Sequence, residues 1–369
     1  MKVLTVIGTR PEAIKMAPVI KEMALHPDEI TQVVCTTAQH RDMLDQVLTV
    51  FDIAPDYDLN LMRPDQSLPQ LTAHILTALD EVVVKERPDW VLVQGDTTTV
   101  MAASLVAFYR RIKVGHVEAG LRSDDRAQPF PEEINRRIAD LLSDLYFAPT
   151  ERNRERLLRE GVPPQAIAVT GNTVIDALLM TAERVSQRPL NGLVGNINGK
   201  RLILVTAHRR ENFGAPLASI CRALREIAER YRDDVHIVYP VHRNPNVYRP
   251  VHQTLDDVPN ITLLEPVDYE TLVGLLSRAY LVLTDSGGLQ EESPSLHKPV
   301  LVLREVTERP EVVDLRAARL VGTDYDAIVR ETARLLEDAA IYREMAAVPN
   351  PYGDGCASRR IVQVLLAHA

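Results

Sequence analysis

With 369 residues, 46% of them hydrophobic and 25% charged, the chain is long enough to bury two separate cores. Its 42 Lys and Arg against 51 Asp and Glu give a formal charge of -9 with no basic block, which argues against a nucleic-acid partner while leaving single basic residues to hold a small phosphate. Cys35, Cys221 and Cys356 lie far apart in no metal-like spacing, as expected of reduced thiols in a cytoplasmic protein, and no apolar run is long enough to span a bilayer.

The first residues, MKVLTVIG, read as a strand running into a turn, too short and too soon broken for a signal peptide. Apolar runs predict strands at 2–7, 32–36, 90–94 and 113–117, then at 201–206, 235–239, 261–264, 279–284 and 299–303. Amphipathic stretches between them predict helices that include 12–25, 68–86, 98–110, 131–142 and 215–231. Strand and helix alternating in this way give an α/β protein with parallel sheets covered on both faces and sites at the strand C-termini. KVLTVIGTRPE at 2–12 and RLILVTAHRRE at 201–211 are weak echoes of one another, each an apolar strand entering a turn with Arg and Glu. With the Gly- and Asn-rich loop at 191–200, they predict two similarly built domains, 1–170 and 171–350. After NPYG at 350–353, Ile361, Val364 and Leu365 recur at helical spacing, so a terminal helix packs on something.

Neither half carries Gly-x-Gly-x-x-Gly after its first strand, which argues against a nicotinamide or flavin dinucleotide, and no Gly-rich loop ends in Lys-Ser/Thr as in the commonest ATPases. His116 with Glu118, and His208 with His242, lack a recurring metal-ligand spacing, so no metal is expected. The carboxylates are more informative. Asp96 in GDTTT and Glu118 in GHVEAG each end a predicted strand; Asp96 reads as a helix cap or as a site group, and Glu is a poor cap. Glu132 and Glu133 open a predicted helix, where negative charge suits the dipole. If Asp96, Glu118 and Glu132 converge on one cleft, mutual repulsion would raise the pKa of at least one.

The stretch VLTDSGGLQEE at 282–292 predicts a strand, a turn at Asp285-Ser286-Gly287-Gly288 and a helix from Leu289. It is either an anion site with Glu292 placed for ribose hydroxyls or an ordinary capped turn. Arg10, Lys15, the His208-Arg209-Arg210 run and Arg309 recur at such strand-to-helix turns, where a diphosphate would be held.

GTRPEAIKMAPV at 8–19, TAQHRDMLDQV at 37–47, GDTTT at 95–99, GHVEAGLRS at 115–123, PEEINRR at 131–137, TGNTVIDALL at 170–179, HRREN at 208–212, YPVHRNPNV at 239–247, TDSGGLQEE at 284–292 and TERPE at 307–311 resemble, in order and nearly without a break, the bacterial non-hydrolysing UDP-N-acetylglucosamine 2-epimerases. The resemblance implies two Rossmann-like domains of the GT-B type with the active site in the interdomain cleft, and a terminal helix, 351–369, that rejoins the first domain. It also implies a homodimer that needs no cofactor and interconverts UDP-N-acetylglucosamine and UDP-N-acetylmannosamine. By the same resemblance Asp96, Glu118 and Glu132 are acid/base carboxylates and His208 lies near diphosphate and sugar. Arg10, Lys15, Ser286, Gly287, Gly288, Glu292 and Arg309 contact substrate, and Gln39, His40 and His242 help hold a second, regulatory UDP-sugar. The sequence departs from close relatives at Ala207, where Gly precedes the histidine, and at Asp42, where Gln or Glu is common. A UDP-sugar glycosyltransferase of the same fold and a 2-epimerase acting on a UDP-diacetamido uronic acid are the competing readings.

Overall fold

The computed structural model describes all residues except 38–40, 64, 189–193 and 195–198, and omits the side chains of 41–43. Two compact units result: Met1–Ala177 together with Tyr352–Ala369, and Leu178–Pro351. Each is a parallel sheet with helices packed on it, so the α/β expectation holds for both.

The first unit runs β1 (Lys2–Ile7), α1 (Arg10–Met23), β2 (Thr31–Thr36), α2 (Arg41–Val50), β3 (Tyr57–Asp58), α3 (Leu68–Glu86), β4 (Trp90–Gln94), α4 (Thr98–Tyr109), β5 (Lys113–Val117), α5 (Glu132–Leu142), β6 (Leu145–Ala148), α6 (Glu151–Arg159), β7 (Ile167–Val169) and the start of α7 (Thr173–Val185). Its strands lie in the order β3-β2-β1-β4-β5-β6-β7. Val3, Leu4, Val6, Ile7, Val91, Leu92 and Val93 are buried, as central strands of a sheet covered on both sides must be. The order reverses between β1 and β4, and the turns leaving neighbouring strands there open the crevice typical of such sheets.

The second unit, entered along α7, runs β8 (Arg201–Thr206), α8 (Ala215–Arg230), β9 (Val235–Pro240), α9 (Pro245–Leu255), β10 (Ile261–Leu264), α10 (Tyr269–Arg278), β11 (Ala279–Thr284), α11 (Gly287–Glu292), β12 (Val300–Val302), α12 (Pro310–Asp314), β13 (Ala318–Leu320), α13 (Tyr325–Glu337) and α14 (Ala339–Ala346). Its order β10-β9-β8-β11-β12-β13 reverses between β8 and β11, so His208 and Asp285 leave adjacent strands. The chain then returns to the first unit as α15 (Ala357–Leu366), which packs on α1 and buries Ile361, Val362 and Leu365. Asp176 fixes its start: one carboxylate oxygen accepts from Ser358 N at 2.8 Å and the other from Ala357 N at 3.2 Å. These bonds satisfy two of the amides that any helix leaves unpaired at its N-terminus. Among the described residues no helix is long and apolar enough to cross a membrane.

Candidate active site

In the first unit the turns leaving β1, β4 and β5 lie side by side. The β1 turn packs closely enough on α4 that a Cβ at Gly8 would stand 2.3 Å from Thr99 Oγ1, so glycine is required there. Thr9 caps α1 and Thr97 caps α4 through its bond from Val100 N at 3.4 Å. Capping therefore does not fall to Asp96, and its carboxylate is left for other work. Arg136 donates to Asp96 Oδ2, and Asn135 Nδ2 donates to the Asp96 carbonyl at 3.0 Å.

Glu118, the residue after β5, has φ +69°, a left-handed conformation that costs a non-glycine residue about 1–3 kcal/mol. Its backbone N–H donates to Phe147 O at 3.0 Å, and its buried carboxylate is clamped. Lys15 Nζ donates to both oxygens at 2.6 and 2.7 Å, Asn172 Nδ2 donates at 3.1 Å, and Gln94 Nε2 donates as well. A Cβ at Gly95 would lie 3.9 Å from Glu118 Oε2, so this carboxylate rests against the backbone leading into Asp96. Lys15, expected on a diphosphate, is here engaged on Glu118; Arg10, half-buried, opens α1 in the same turn region.

The two glutamates that open α5 separate by environment. Glu133 is fully buried and accepts from Ser123 N at 3.0 Å, Arg137 Nε at 2.8 Å and Arg136 Nη1 at 3.2 Å. Burial alone would raise its pKa, but these donors outweigh it and hold the group below the usual carboxylate range. Glu132 stays half-buried, and the i, i+3, i+4 spacing puts it on the same face of α5 as Asn135 and Arg136, the residues that reach Asp96.

The raised carboxyl at this site is Glu12, in the first turn of α1. Burial pushes it up to about 7, bonds from Thr97, Gly8 and Thr9 moderate the rise, and the charge of Asp96 adds to it. Gly8 N donates to Glu12 at 2.6 Å and Thr9 Oγ1 at 3.1 Å. Desolvation rather than repulsion among Asp96, Glu118 and Glu132 is thus the first cause of a raised carboxyl here.

Beneath these turns lies a second network. His116 Nδ1 faces Asp140 Oδ1 at 2.6 Å and Nε2 faces the Gly95 carbonyl at 2.8 Å, both acceptors, while Arg122 Nη2 lies 2.7 Å from Asp140 Oδ2. Burial opposes the charge on His116, yet the Asp140 carboxylate and the Gly95 carbonyl outweigh it and raise its pKa above the ordinary 6.5. With both ring nitrogens so used, His116 is no metal ligand. Among the described residues no cluster of His, Cys, Asp and Glu could hold a metal ion.

In the second unit Asp285, buried completely at the end of β11, reaches across to the turn after β8. Its Oδ2 accepts from His208 N at 2.7 Å, Arg209 N at 2.8 Å and Asn212 Nδ2 at 3.0 Å. The ring of His208 stacks on that of His242, with centroids 5.7 Å apart and planes 15° apart. Burial first, then the charges of His242 and Arg209, lower the pKa of His208 against the pull of Asp285. Helix α11 begins earlier than predicted: Gly287 and Gly288 form its first turn and Ser286 its N-cap. A Cβ at Gly287 would sit 3.9 Å from Arg209 Nη2 and 4.0 Å from Arg309 Nη2, so two guanidinium groups bracket that glycine. Arg309 Nε also donates to the buried Glu291, and Glu292 is buried beside it. Of the residues expected at a regulatory site, His242 stacks on His208 as described, while Gln39 and His40 lie outside the described residues.

Known proteins of similar sequence and fold identify the family. The family model described as UDP-N-acetylglucosamine 2-epimerase matches residues 23–366. The UDP-N-acetylglucosamine 2-epimerase of Escherichia coli (strain K12) is 53% identical over 371 residues, covering 99% of this chain and 98% of its own. The crystal structure of the UDP-GlcNAc 2-epimerase from Neisseria meningitidis bound to UDP-GlcNAc is 49% identical, covers all of both chains and has a TM-score of 0.88. The glycotransferase of kitacinnamycin, only 13% identical with a TM-score of 0.69 over 99% of this chain and 98% of its own, shares the GT-B fold alone. Matched along nearly its whole length in sequence and fold, the chain belongs to the UDP-N-acetylglucosamine 2-epimerase family of isomerases.

Proposed function

We propose that this protein interconverts UDP-N-acetylglucosamine and UDP-N-acetylmannosamine in the cytoplasm, supplying cell-envelope polysaccharide synthesis, by eliminating UDP to a 2-acetamidoglucal and adding it back with inversion at C2. The observation that carries the reading is that Asp96 and the clamped Glu118 follow the neighbouring strands β4 and β5, with Glu132 on the helix face that meets Asp96. The C2 proton of the sugar is not acidic, so breaking the C1–O bond before or together with C–H cleavage is the easier route. The proton leaves from one face of the ring and returns to the other, which calls for acid/base groups on both. In the second unit Arg309 and the Ser286-Gly287-Gly288 segment suit a diphosphate, and buried Glu292 suits the ribose hydroxyls.

Proton NMR of UDP-N-acetylglucosamine with pure protein in D2O and no acceptor tests this reading. The expected result is the manno epimer with deuterium at C2, with free UDP and the glycal accumulating slowly. Epimer that keeps protium at C2 overturns the elimination route, and the absence of epimer favours a transferase.

The same reading includes a homodimer. Phe108 and Tyr109 at the end of α4 and Leu141 on α5 are 57, 68 and 82% exposed, apolar surface on two helices that pack together in the first unit. Sedimentation equilibrium at micromolar protein should give twice the 41.3 kDa chain mass, and a species at the chain mass alone would reject the dimer.

A further inference from the structure

We propose that Asp285 is a positioning residue for the reaction, holding His208 with a proton on Nδ1 so that Nε2 is the nitrogen offered to the substrate. The inference rests on the reading of His208 as a group beside the diphosphate. Three donors already fill Asp285 Oδ2, and those bonds alone would suffice to hold the turn after β8. The other oxygen, Oδ1, is buried with no hydrogen-bond partner among the described residues, and His208 Nδ1 lies 3.5 Å from it. An ionised oxygen kept from water without a donor is costly, and a small turn of the imidazole satisfies it. Catalytic hydrogen bonds are often this long before substrate arrives.

Only one tautomer fits. With Nδ1 bare, its lone pair would face the carboxylate; with Nδ1 protonated, the pair attract and Nε2 is left bare to accept a proton, the imidazolium so formed being compensated by Asp285 beside the diphosphate, a step closed to a ring whose proton already sits on Nε2. The stacked His242 restrains the ring plane. Asp285 attracts the charged form of His208, while Arg209 and His242 repel it. Read as a capped turn, the sequence leaves the cap to Asp285 or Ser286; Ser286 is the N-cap of α11, and the Asp285 carboxylate turns to the residues after β8 instead.

The test is NMR of protein labelled with 15N-histidine, with the His208 signals identified by their loss in His208→Gln. The wild type should show Nδ1 protonated and Nε2 bare near neutral pH. In Asp285→Asn the carboxamide oxygen keeps the three donors and the NH2 group faces Nδ1, so the proton moves to Nε2 and the two 15N signals exchange character. Turnover should fall by about 10²-fold while UDP affinity changes by less than about 3-fold, as expected when a wrong tautomer is imposed in unchanged geometry. A wild-type spectrum with the proton on Nε2 overturns the proposal even if the variant does not fold, and so does a folded variant with an unchanged tautomer or with wild-type turnover. Should His208→Gln turn over as the wild type does, the reading of His208 itself fails, an outcome separate from the tautomer result.

Discussion

Asp96→Asn, Glu118→Gln and Glu132→Gln should each lower turnover by about 10²–10⁴-fold and leave UDP affinity nearly unchanged, whereas Glu292→Ala should weaken UDP binding by about 1.5–3 kcal/mol. The contrast follows from geometry. The first three replacements keep size and remove the titrating oxygen at the ends of β4 and β5 and at the start of α5, in the first unit. Glu292 lies buried in the second unit at the end of the helix whose first glycine two guanidinium groups bracket. Glu118→Gln should be the most damaging, because it also takes from the Lys15 ammonium the carboxylate whose two oxygens it holds at 2.6 and 2.7 Å, and the amide cannot accept on both sides. Initial rates by NMR and UDP affinity by calorimetry separate the two classes. A folded carboxylate variant that retains a third of wild-type turnover removes that residue from the chemistry, and unchanged UDP affinity in Glu292→Ala removes Glu292 from the nucleotide site.

Where the sequence reads cleanly, one strong signal is repeated. The central strands at 2–7, 90–94, 113–117, 201–206 and 279–284 are continuous apolar runs, because both faces of a parallel sheet are buried, and the structure puts strands at those bounds. The strands that escape notice are short ones: Tyr57–Asp58, Leu145–Ala148, Ile167–Val169 and Ala318–Leu320, too few residues for any periodicity to show. The α11 boundary is misplaced for a related reason. Two consecutive glycines read as a turn, yet here they make the first turn of a helix, with the guanidinium groups of Arg209 and Arg309 about Gly287.

Among site residues, a strand-end position is visible in sequence but the partner is not. Asp96 and Glu118 can be picked out because each follows a strand. That Lys15 clamps Glu118 from 103 positions away, or that Asp285 reaches His208 from 77, depends on which strands neighbour one another. Glu132 and Glu133 look alike in sequence. Only packing makes the second an internal anchor for Ser123, Arg136 and Arg137 and leaves the first half-exposed. Glu12 is hidden by the opposite effect: an acidic residue in the first turn of a helix already has an ordinary explanation in the dipole, so its burial leaves no mark on the sequence.

Asp140→Asn should destabilise the first unit by about 3–5 kcal/mol, since it removes the carboxylate that faces the buried His116 and one of the two that hold Arg122, the other being Glu160. A loss of that size corresponds to a fall in Tm on the order of 10 °C. The signature lies in the pH dependence. Asp140, held below its ordinary 3.8 because His116 and Arg122 outweigh its burial, contributes stability above that value and loses it as the pH falls through the lowered one. His116 is raised above 6.5, so its contribution is complete below 6.5 and is lost as the pH rises through the folded value. Glu12 has the same sign: its contribution is complete below 4.5 and is lost as the pH climbs through about 7. Wild-type Tm should therefore decline from pH 4.5 to about 7 through Glu12 and go on declining on the alkaline side through His116. In Asp140→Asn the His116 part disappears, so the alkaline decline is lost and only the Glu12 decline below about 7 remains. The variant should also lose turnover, because His116 Nε2 holds the Gly95 carbonyl one residue before Asp96, and Gly120 N, two residues after Glu118, donates to Asp140 at 3.3 Å. Calorimetric scans of both proteins from pH 5 to 9 decide the matter: equal Tm at pH 6, or the same alkaline slope in variant and wild type, would show that the buried triad carries neither the stability nor the pH dependence assigned to it.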